Sequence, residues 1–345
     1  MYRDKKTDER GFWAQLKEKK PFIALAPMAD VTDAPFRQII AKYSRHGKAG
    51  GGPDVFWTEF VSADGLMSPG RAILKTDLQF SKKERPIVAQ LFGKNPETME
   101  GAAKLVAELG FDGVDINMGC PDRSVMRQGA GGAHIRDPKN AVAIIQATKR
   151  GVRAGVRAGK KPIPVSVKTR IGYSKNELAT WLPLLLAEKP AVVTIHARTV
   201  KELSLVPARW EHVREAVLIR DALKSDTLII GNGDVCSPAD AFKRAQETGA
   251  DGVMIGRGIF GNPWLFDTKR KCPPTLPERL SVLMEHTKLF QKLLTGRKNF
   301  AVMKKHFKAY VHGFDGAKEL RAELMECDTY ADMSRAIRAF LKKTL

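Results

Sequence analysis

Eight short β-branched runs alternate with amphipathic stretches along most of this chain, and that alternation constrains the fold more than any other feature. The runs are Phe22–Ala26, Val55–Thr58, Ile87–Leu91, Val114–Asn117, Val165–Lys168, Val192–His196, Leu228–Gly231 and Val253–Ile255. Helices are expected between them. One covers Pro35–Lys42, with Thr32 and Asp33 offering the N-cap and Pro35 in the tolerant first turn. Others run from Asn95-Pro96 to Leu109, from Asp137-Pro138 to Arg157, and over Glu177–Ala187, His212–Leu223 and Pro238–Thr248. Eight such units are the count of an α/β fold of the (β/α)8 barrel type; an open doubly wound sheet is the other arrangement to weigh. The residues at the run ends favour the barrel. Glu59, Gln90, Asn117, Lys168, His196 and Asn232 stand at successive C-terminal ends. A barrel converges these on one mouth, whereas an open sheet spreads them along an edge.

The pattern changes after Trp264. Cys272-Pro273-Pro274-Thr275-Leu276-Pro277 reads as a linker, because its prolines neither continue a helix nor pair in a sheet. Four helical stretches follow, over 277–295, 300–312, 316–326 and 329–343, with apolar spacing such as Leu280, Leu283, Met284 and Leu289-Phe290. The expected division is therefore an N-terminal extension (1–20), a barrel (21–270) and a small all-helical domain (277–345).

A chain of 345 residues buries a sufficient core without disulfide or metal staples. Cys120, Cys236, Cys272 and Cys327 form no CxxC pair, so reduced thiols and no metal are expected. The longest apolar runs, such as Ala191–Ile195, are too short to span a bilayer. The polar stretch from Met1 to Lys20 lacks a signal core, so no membrane association and a cytoplasmic location are expected. Lys and Arg number 58 against 38 Asp and Glu, a net charge of +20, and residues 271–345 alone hold 15 basic and 8 acidic side chains. Such an excess suits a polyanionic partner such as nucleic acid, and equally a soluble basic protein without one. The run Lys149-Arg150, Arg153, Arg157, Lys160-Lys161 looks like an RNA patch. Barrel helices run away from the mouth, however, and cations suit a helix C-terminus, which is the reading taken here.

Several segments carry candidate chemistry. Asn117-Met118-Gly119-Cys120-Pro121 puts a thiol just past the fourth run. Taken alone, Cys120 reads as a structural thiol; Gly119, Pro121 and the downstream Gly129-Ala130-Gly131-Gly132 give it a loop able to close over a ligand. Lys168 and Arg170 end the fifth run, where a cation meets an anionic ligand or developing charge. His196 and Arg198 repeat this at the sixth, although a strand-end His is as often satisfied structure. Gly231-Asn232-Gly233-Asp234 and Gly256-Arg257-Gly258 follow the seventh and eighth runs, where barrels commonly build a phosphate site. The latter spells GxGxxG with Ile259-Phe260-Gly261, but Asn262-Pro263-Trp264 interrupts the following helix, so it reads as a mononucleotide phosphate cradle.

These residues, in this order, resemble the tRNA-dihydrouridine synthase family from Phe22 to Phe340. The matching segments are Ala26-Pro27-Met28 with Asp33, Pro35-Phe36-Arg37; Thr58-Glu59; Ala89–Gly93; Asp115–Pro121; Gly129–Gly131; Val167–Arg170; His196–Thr199; Asn232–Asp234; and Gly256–Gly258 with Asn262–Trp264. Met303-Lys304-Lys305-His306 and Leu320-Arg321 add to them in the tail. The resemblance implies an FMN-binding TIM barrel with a helical tRNA-binding domain, reducing the C5=C6 bond of tRNA uridines with NADPH as reductant. It assigns Cys120 as general acid. Pro27, Met28, Gln90, Lys168, His196, Asn232, Gly233, Asp234, Gly256 and Arg257 are assigned to the flavin, with Lys168 on its N1/O2 side. Glu59, Asn117, Arg170 and Arg198 are assigned to the substrate, and Arg297, Lys304, Lys305 and Lys308 to RNA phosphates. A monomer is expected.

The implied chemistry needs these residue types. A thiol of ordinary pKa, about 8.5, is protonated at neutral pH and so serves as an acid. The uracil must leave its stack to reach the flavin, which explains a second, RNA-gripping domain. Two departures stand out. Where the family often carries a Tyr–Gly–Ala–Asp–Trp pattern, this chain reads Lys201-Glu202-Leu203-Ser204-Leu205-Val206-Pro207-Ala208-Arg209-Trp210, and residues 49–53 are a Gly-rich insert. The competing readings are an FMN barrel acting on a free pyrimidine, of the dihydroorotate or dihydropyrimidine dehydrogenase kind, and a non-catalytic RNA-binding relict. The basic tail argues against the first; Cys120, Lys168 and His196 argue against the second.

Overall fold

The structure, a computed structural model, describes residues 10–19, 21–156 and 161–344. Its strands are β1 (Phe22–Leu25), β2 (Phe56–Ser62), β3 (Ile87–Phe92), β4 (Gly113–Met118), β5 (Val165–Arg170), β6 (Val192–His196), β7 (Leu228–Asn232) and β8 (Gly252–Ile255). They pair in the order β1-β8-β7-β6-β5-β4-β3-β2, every pair parallel. A parallel bridge between Ala24 and Val55 closes the ring, with the Leu25 N–H donating to the Val55 carbonyl at 3.0 Å. The fold is a (β/α)8 barrel, and the open sheet is excluded.

Strand periodicity sorts the side chains into two layers. Along β4, Val114, Ile116 and Met118 join the apolar layer under the helices. The alternate residues point to the axis, where Asp115 bonds Gln90 of β3 and Ser166 of β5. The crossover helices begin where the sequence supplies caps. Asp33, Asn95, Asp137 and Ser237 each accept a first-turn N–H, and each precedes a proline in that turn. The helix Pro238–Thr248 has the expected bounds, Leu178–Ala187 starts one residue later than expected, and Glu211–Ala222 is shifted by one residue at each end. The helix Pro138–Ala154 was expected to reach Arg157, which, with Lys160, lies outside the described residues. Near its end, Lys149 donates to the Glu188 and Lys189 carbonyls and Arg150 pairs with Glu100 at 2.8 Å, so these cations tie neighbouring helices together.

Two features depart from the expected pattern. Within the extension, Trp13–Glu18 is a helix, and Trp13 is buried with its ring 5.7 Å from those of Phe22 and Trp57. It packs into the apolar interior at the N-terminal end of the strands, beside Val192, Leu228 and Ile230. The second is in β2, which runs four residues beyond Thr58. Trp57 is opposite Val88 and Phe60 opposite Gln90, so one extra residue bulges out between them. Glu59 therefore sits in a bulge, not at a strand end.

The tail forms four helices: Leu276–Leu294, opened by a Thr275/Glu278 capping box, then Val302–Tyr310, Ala317–Met325 and Tyr330–Thr344. Leu283, Phe290, Met303, Phe307, Leu324 and Ile337 give them a core of their own, which Ile39 and Trp264 of the barrel join. Among the described residues no helix is long and apolar enough to cross a membrane.

Candidate active site

The barrel axis carries a ladder of polar side chains that rises to the mouth. Asp115 accepts from the Gln90 amide nitrogen at 2.7 Å and from the Ser166 hydroxyl at 2.5 Å. One layer higher, Asn117 stands opposite Lys168, and its amide nitrogen donates to the Gln90 carbonyl oxygen at 3.1 Å. Burial pushes the Asp115 carboxyl up to about 6. Burial, reinforced by Arg170, pulls the Lys168 amine down to about 8, with Asp115 and Cys120 opposing.

Asn117 also shapes the Cys120 loop. Its carbonyl oxygen accepts the N–H groups of Gly119, at 3.1 Å, and Cys120, at 2.9 Å. The Gly132 N–H donates to the Cys120 carbonyl at 2.9 Å, and a Cβ on Gly131 would lie 3.2 Å from that of Cys120. The Gly129–Gly132 segment thus rests on the cysteine. Burial raises the Cys120 thiol above its ordinary pKa, so it keeps its proton at neutral pH.

On the other side of the mouth, His196, Arg198, Asp234 and Arg257 form one network. Arg198 donates to His196 Nε2 at 3.0 Å and to the Asp234 carboxylate, which also receives Arg257 at 2.9 Å and the Ala208 N–H at 2.9 Å. A guanidinium only donates, so Nε2 accepts and the His196 proton is on Nδ1. Burial, followed by the repulsion of Lys168 and Arg170, holds His196 well below its ordinary pKa, in keeping with a neutral ring. Gly233 has φ +129°, and a Cβ there would meet Ala208 Cβ at 2.7 Å and His196 at 3.3 Å, so only glycine fits. Asn232 donates to the Met254 carbonyl at 2.8 Å, and a Cβ on Gly256 would lie 3.7 Å from Met28 Sδ. The half-buried Pro27-Met28 turn thereby adjoins the glycine cradle after β8.

The structure gives other assigned residues different surroundings. The Arg170 guanidinium donates to the carbonyls of Gly119 (2.9 Å), Thr199 (2.8 Å) and Leu203 (2.7 Å), clamping the Cys120 loop to the 199–203 loop. Arg198 is buried in the network just described. Glu59 accepts the Asp30 N–H at 2.6 Å and Lys298 of the tail at 2.6 Å, while Lys298 Nζ lies 2.9 Å from Asp77. Lys304 pairs with Asp328 at 3.5 Å and Lys305 with Asp30 at 3.7 Å; Lys308 and Arg297 are exposed on the tail. Asp115 and Lys298 were missed by sequence reasoning. Asp115 was legible as the inward residue of β4, since it lies two before Asn117. Nothing in the sequence distinguishes Lys298 from its exposed neighbour Arg297.

A parallel barrel with a half-buried thiol, a desolvated amine and an arginine-rich glycine cradle gathered at the C-terminal ends of its strands has the architecture of a (β/α)8-barrel enzyme. Residues 24–345 match the family model Dihydrouridine synthase (Dus). The chain is 38% identical over 335 residues to a Staphylococcus aureus protein named "Probable tRNA-dihydrouridine synthase", covering 96% of each. It is 38% identical over 337 residues to the Bacillus subtilis "Probable tRNA-dihydrouridine synthase 2", covering 97% of this chain and 98% of that one. A solved 2-naphthoyl-CoA reductase, at 11% identity and TM-score 0.50, covers 72% of this chain and 49% of its own, a likeness of fold alone. The chain belongs to the dihydrouridine synthase family.

Proposed function

We propose that this protein is a tRNA-dihydrouridine synthase that uses FMN, takes its electrons from NADPH and reduces the C5=C6 bond of tRNA uridines. Family membership supports the reaction class. The observation that carries the finer reading is the mouth itself, where Asn117, bonded to Gln90 and opposite Lys168, also holds the backbone N–H of Cys120, whose thiol keeps its proton.

The residues fit the cofactor. Among the described residues no hydrogen bond or ion pair ends on Lys168 Nζ, so a cationic donor at the mouth is left for an anionic ring edge. Gly256 keeps the backbone beside Arg257 free of a side chain where a phosphate would approach, Gly233 lets the neighbouring turn pack against Ala208 and His196, and the neutral His196 ring keeps an Nδ1–H to donate. Pro27, Met28 and Gln90 complete the set. When bound, FMN supplies the hydride that reduces uracil C6. Cys120 then donates its proton to C5, and the Asn117 bond to its backbone fixes where the sulfur stands. Asp234 positions Arg198 and Arg257, and Arg170 holds the Cys120 loop. Phosphates of the folded RNA are held by Arg297, Lys304, Lys305 and Lys308 in the tail domain, 277–345.

The direct test is nucleoside mass analysis of an unmodified tRNA transcript incubated with the protein and NADPH. A two-hydrogen gain on uridine is expected, and free uridine and orotate are expected to turn over far more slowly. Equal turnover of the free pyrimidines would replace this reading with the small-molecule one.

Lys168 makes a second expectation. Its amine is charged below pH about 8 and neutral above it. FMN affinity of the apoprotein, read by flavin fluorescence, should therefore weaken as pH rises through 8, with the limb moved upward to the extent that the bound anion favours the charged amine. Lys168→Met, which removes a charged hydrogen bond, should bind roughly 10–100-fold more weakly at pH 7 and lose that limb. An unchanged pH profile in the variant would remove Lys168 from the cofactor site.

A further inference from the structure

The loop after β6 ends in an apolar tip that the barrel does not use. Leu203 is 42% exposed, Leu205 82% and Val206 37%. Single exposed leucines need no explanation, but three apolar side chains within four residues at the mouth of a site do. The tip is also rigidly held. Arg170 donates to the Thr199 and Leu203 carbonyls and Arg198 to the Val206 carbonyl at 2.6 Å. Glu202 receives the Thr199 N–H at 2.7 Å and pairs with Arg209 at 2.7 Å. Leu203 has φ +52°, a conformation costly for a bulky side chain and retained only where the surroundings impose it. Two buried arginines of the site therefore present Leu205 to solvent. The Arg170 guanidinium that holds the Leu203 carbonyl also holds that of Gly119, the residue before Cys120, so the loop that carries the tip is tied to the cysteine loop.

We propose that Leu205, flanked by Leu203 and Val206, is a wedge that stacks against the nucleobase adjoining the target uridine in folded RNA and fills the gap the uracil leaves. This rests on the function proposed above. A base must leave its stack to meet Cys120, and the hole it leaves exposes the faces of its neighbours. Apolar side chains, leucine among them, are the groups that proteins insert between bases for this purpose. The surroundings suit RNA: Lys201, in the same loop, is exposed, on a chain of net charge +20. The loop is also where the chain departs from the pattern its family often carries, so the wedge is a means of choosing the uridine by its neighbour.

The test uses the full-length holoenzyme with a tRNA transcript whose reduced uridine has been mapped by mass analysis. With 2-aminopurine at the neighbouring nucleotide, wild-type protein should change the fluorescence on binding without reductant. Leu205→Ala should lose most of that change and about tenfold in kcat/KM for dihydrouridine formation. NADPH oxidation with a soluble dye as acceptor should be unaffected, and Leu205→Phe should restore both RNA readouts. Leu205 is exposed, so neither variant should disturb folding. Wild-type behaviour of Leu205→Ala in fluorescence and turnover overturns the wedge and leaves the enzyme standing. Failure of wild-type protein to form dihydrouridine in any tRNA overturns the enzyme reading and the wedge with it. A sedimentation shift from dimer to monomer in Leu205→Ala, with unchanged kinetics, makes the tip a self-association surface and equally overturns the proposal.

Discussion

Cys120→Ala should bind FMN as the wild type does, be reduced by NADPH at the wild-type rate, and form dihydrouridine about 10²–10⁴-fold more slowly, the range for loss of a general acid. The prediction separates two half-reactions because the structure separates the residues. The backbone of Cys120, which Asn117 and Gly132 hold, is untouched by the substitution. The cradle residues His196, Gly233, Asp234 and Arg257 form their own network on the other side of the mouth. Only the donor to uracil C5 is removed. Burial keeps the thiol protonated at neutral pH and places its ionisation on the alkaline side of its ordinary value. Turnover limited by proton donation should thus be flat through neutrality and fall only in alkali. Cys120→Ser keeps a donor of much weaker acidity and should lie between wild type and alanine. Rapid-mixing absorbance of the flavin with NADPH, then with tRNA, measures the two halves in turn. Full uridine reduction by the alanine variant would show that the proton comes from elsewhere.

The barrel was legible because its signal is periodic and repeated eight times. Local errors of a few residues, such as β2 taken as ending at Thr58, do not change the count. The caps were legible for the same local reason: Asp33, Asn95, Asp137 and Ser237 act on N–H groups within three residues of themselves. Strand-end residues such as His196 and Asn232 were placed at the mouth because position along a parallel strand is position along the barrel axis. What escaped is what depends on partners distant in sequence. Arg170 and Arg198 look like ligand-binding cations, yet Arg170 bonds three backbone carbonyls and Arg198 one carbonyl, His196 and Asp234, partners that no composition reveals. Trp13 sits in a polar segment set apart as an N-terminal extension, and only the closed ring makes a place for it. Glu59 was placed at the end of a regular strand. It sits in a bulge, and one of its oxygens faces Lys298 of the tail.

That contact sets up the second large effect. Lys298→Met should destabilise the protein by about 3–5 kcal/mol, the cost of leaving buried charges without their partner, and lower its melting temperature by about 5–10 °C. Lys298 is the cation that answers both Glu59 and Asp77 at the junction of barrel and tail; Glu59 is buried, and Lys298 and Asp77 are largely so, at 14% and 21% exposed. Burial already pushes the Glu59 carboxyl above its ordinary pKa despite Lys298. Without the lysine it rises further, so the folded variant binds more protons than the unfolded chain and its stability falls as pH increases. The deficit should accordingly be greatest at neutral and alkaline pH and shrink in acid, where Glu59 takes up a proton. Adding Glu59→Gln and Asp77→Asn to Lys298→Met removes the uncompensated charges and should recover most of the loss. The effect should extend to the site, because the other oxygen of Glu59 holds the Asp30 N–H, two residues beyond Met28. Weaker FMN binding should therefore accompany the lower melting temperature and recover with it in the triple variant. Melting curves at pH 5 and pH 8 with parallel flavin titrations measure both quantities. Equal deficits at the two pH values would show that Lys298 acts by packing and not by charge.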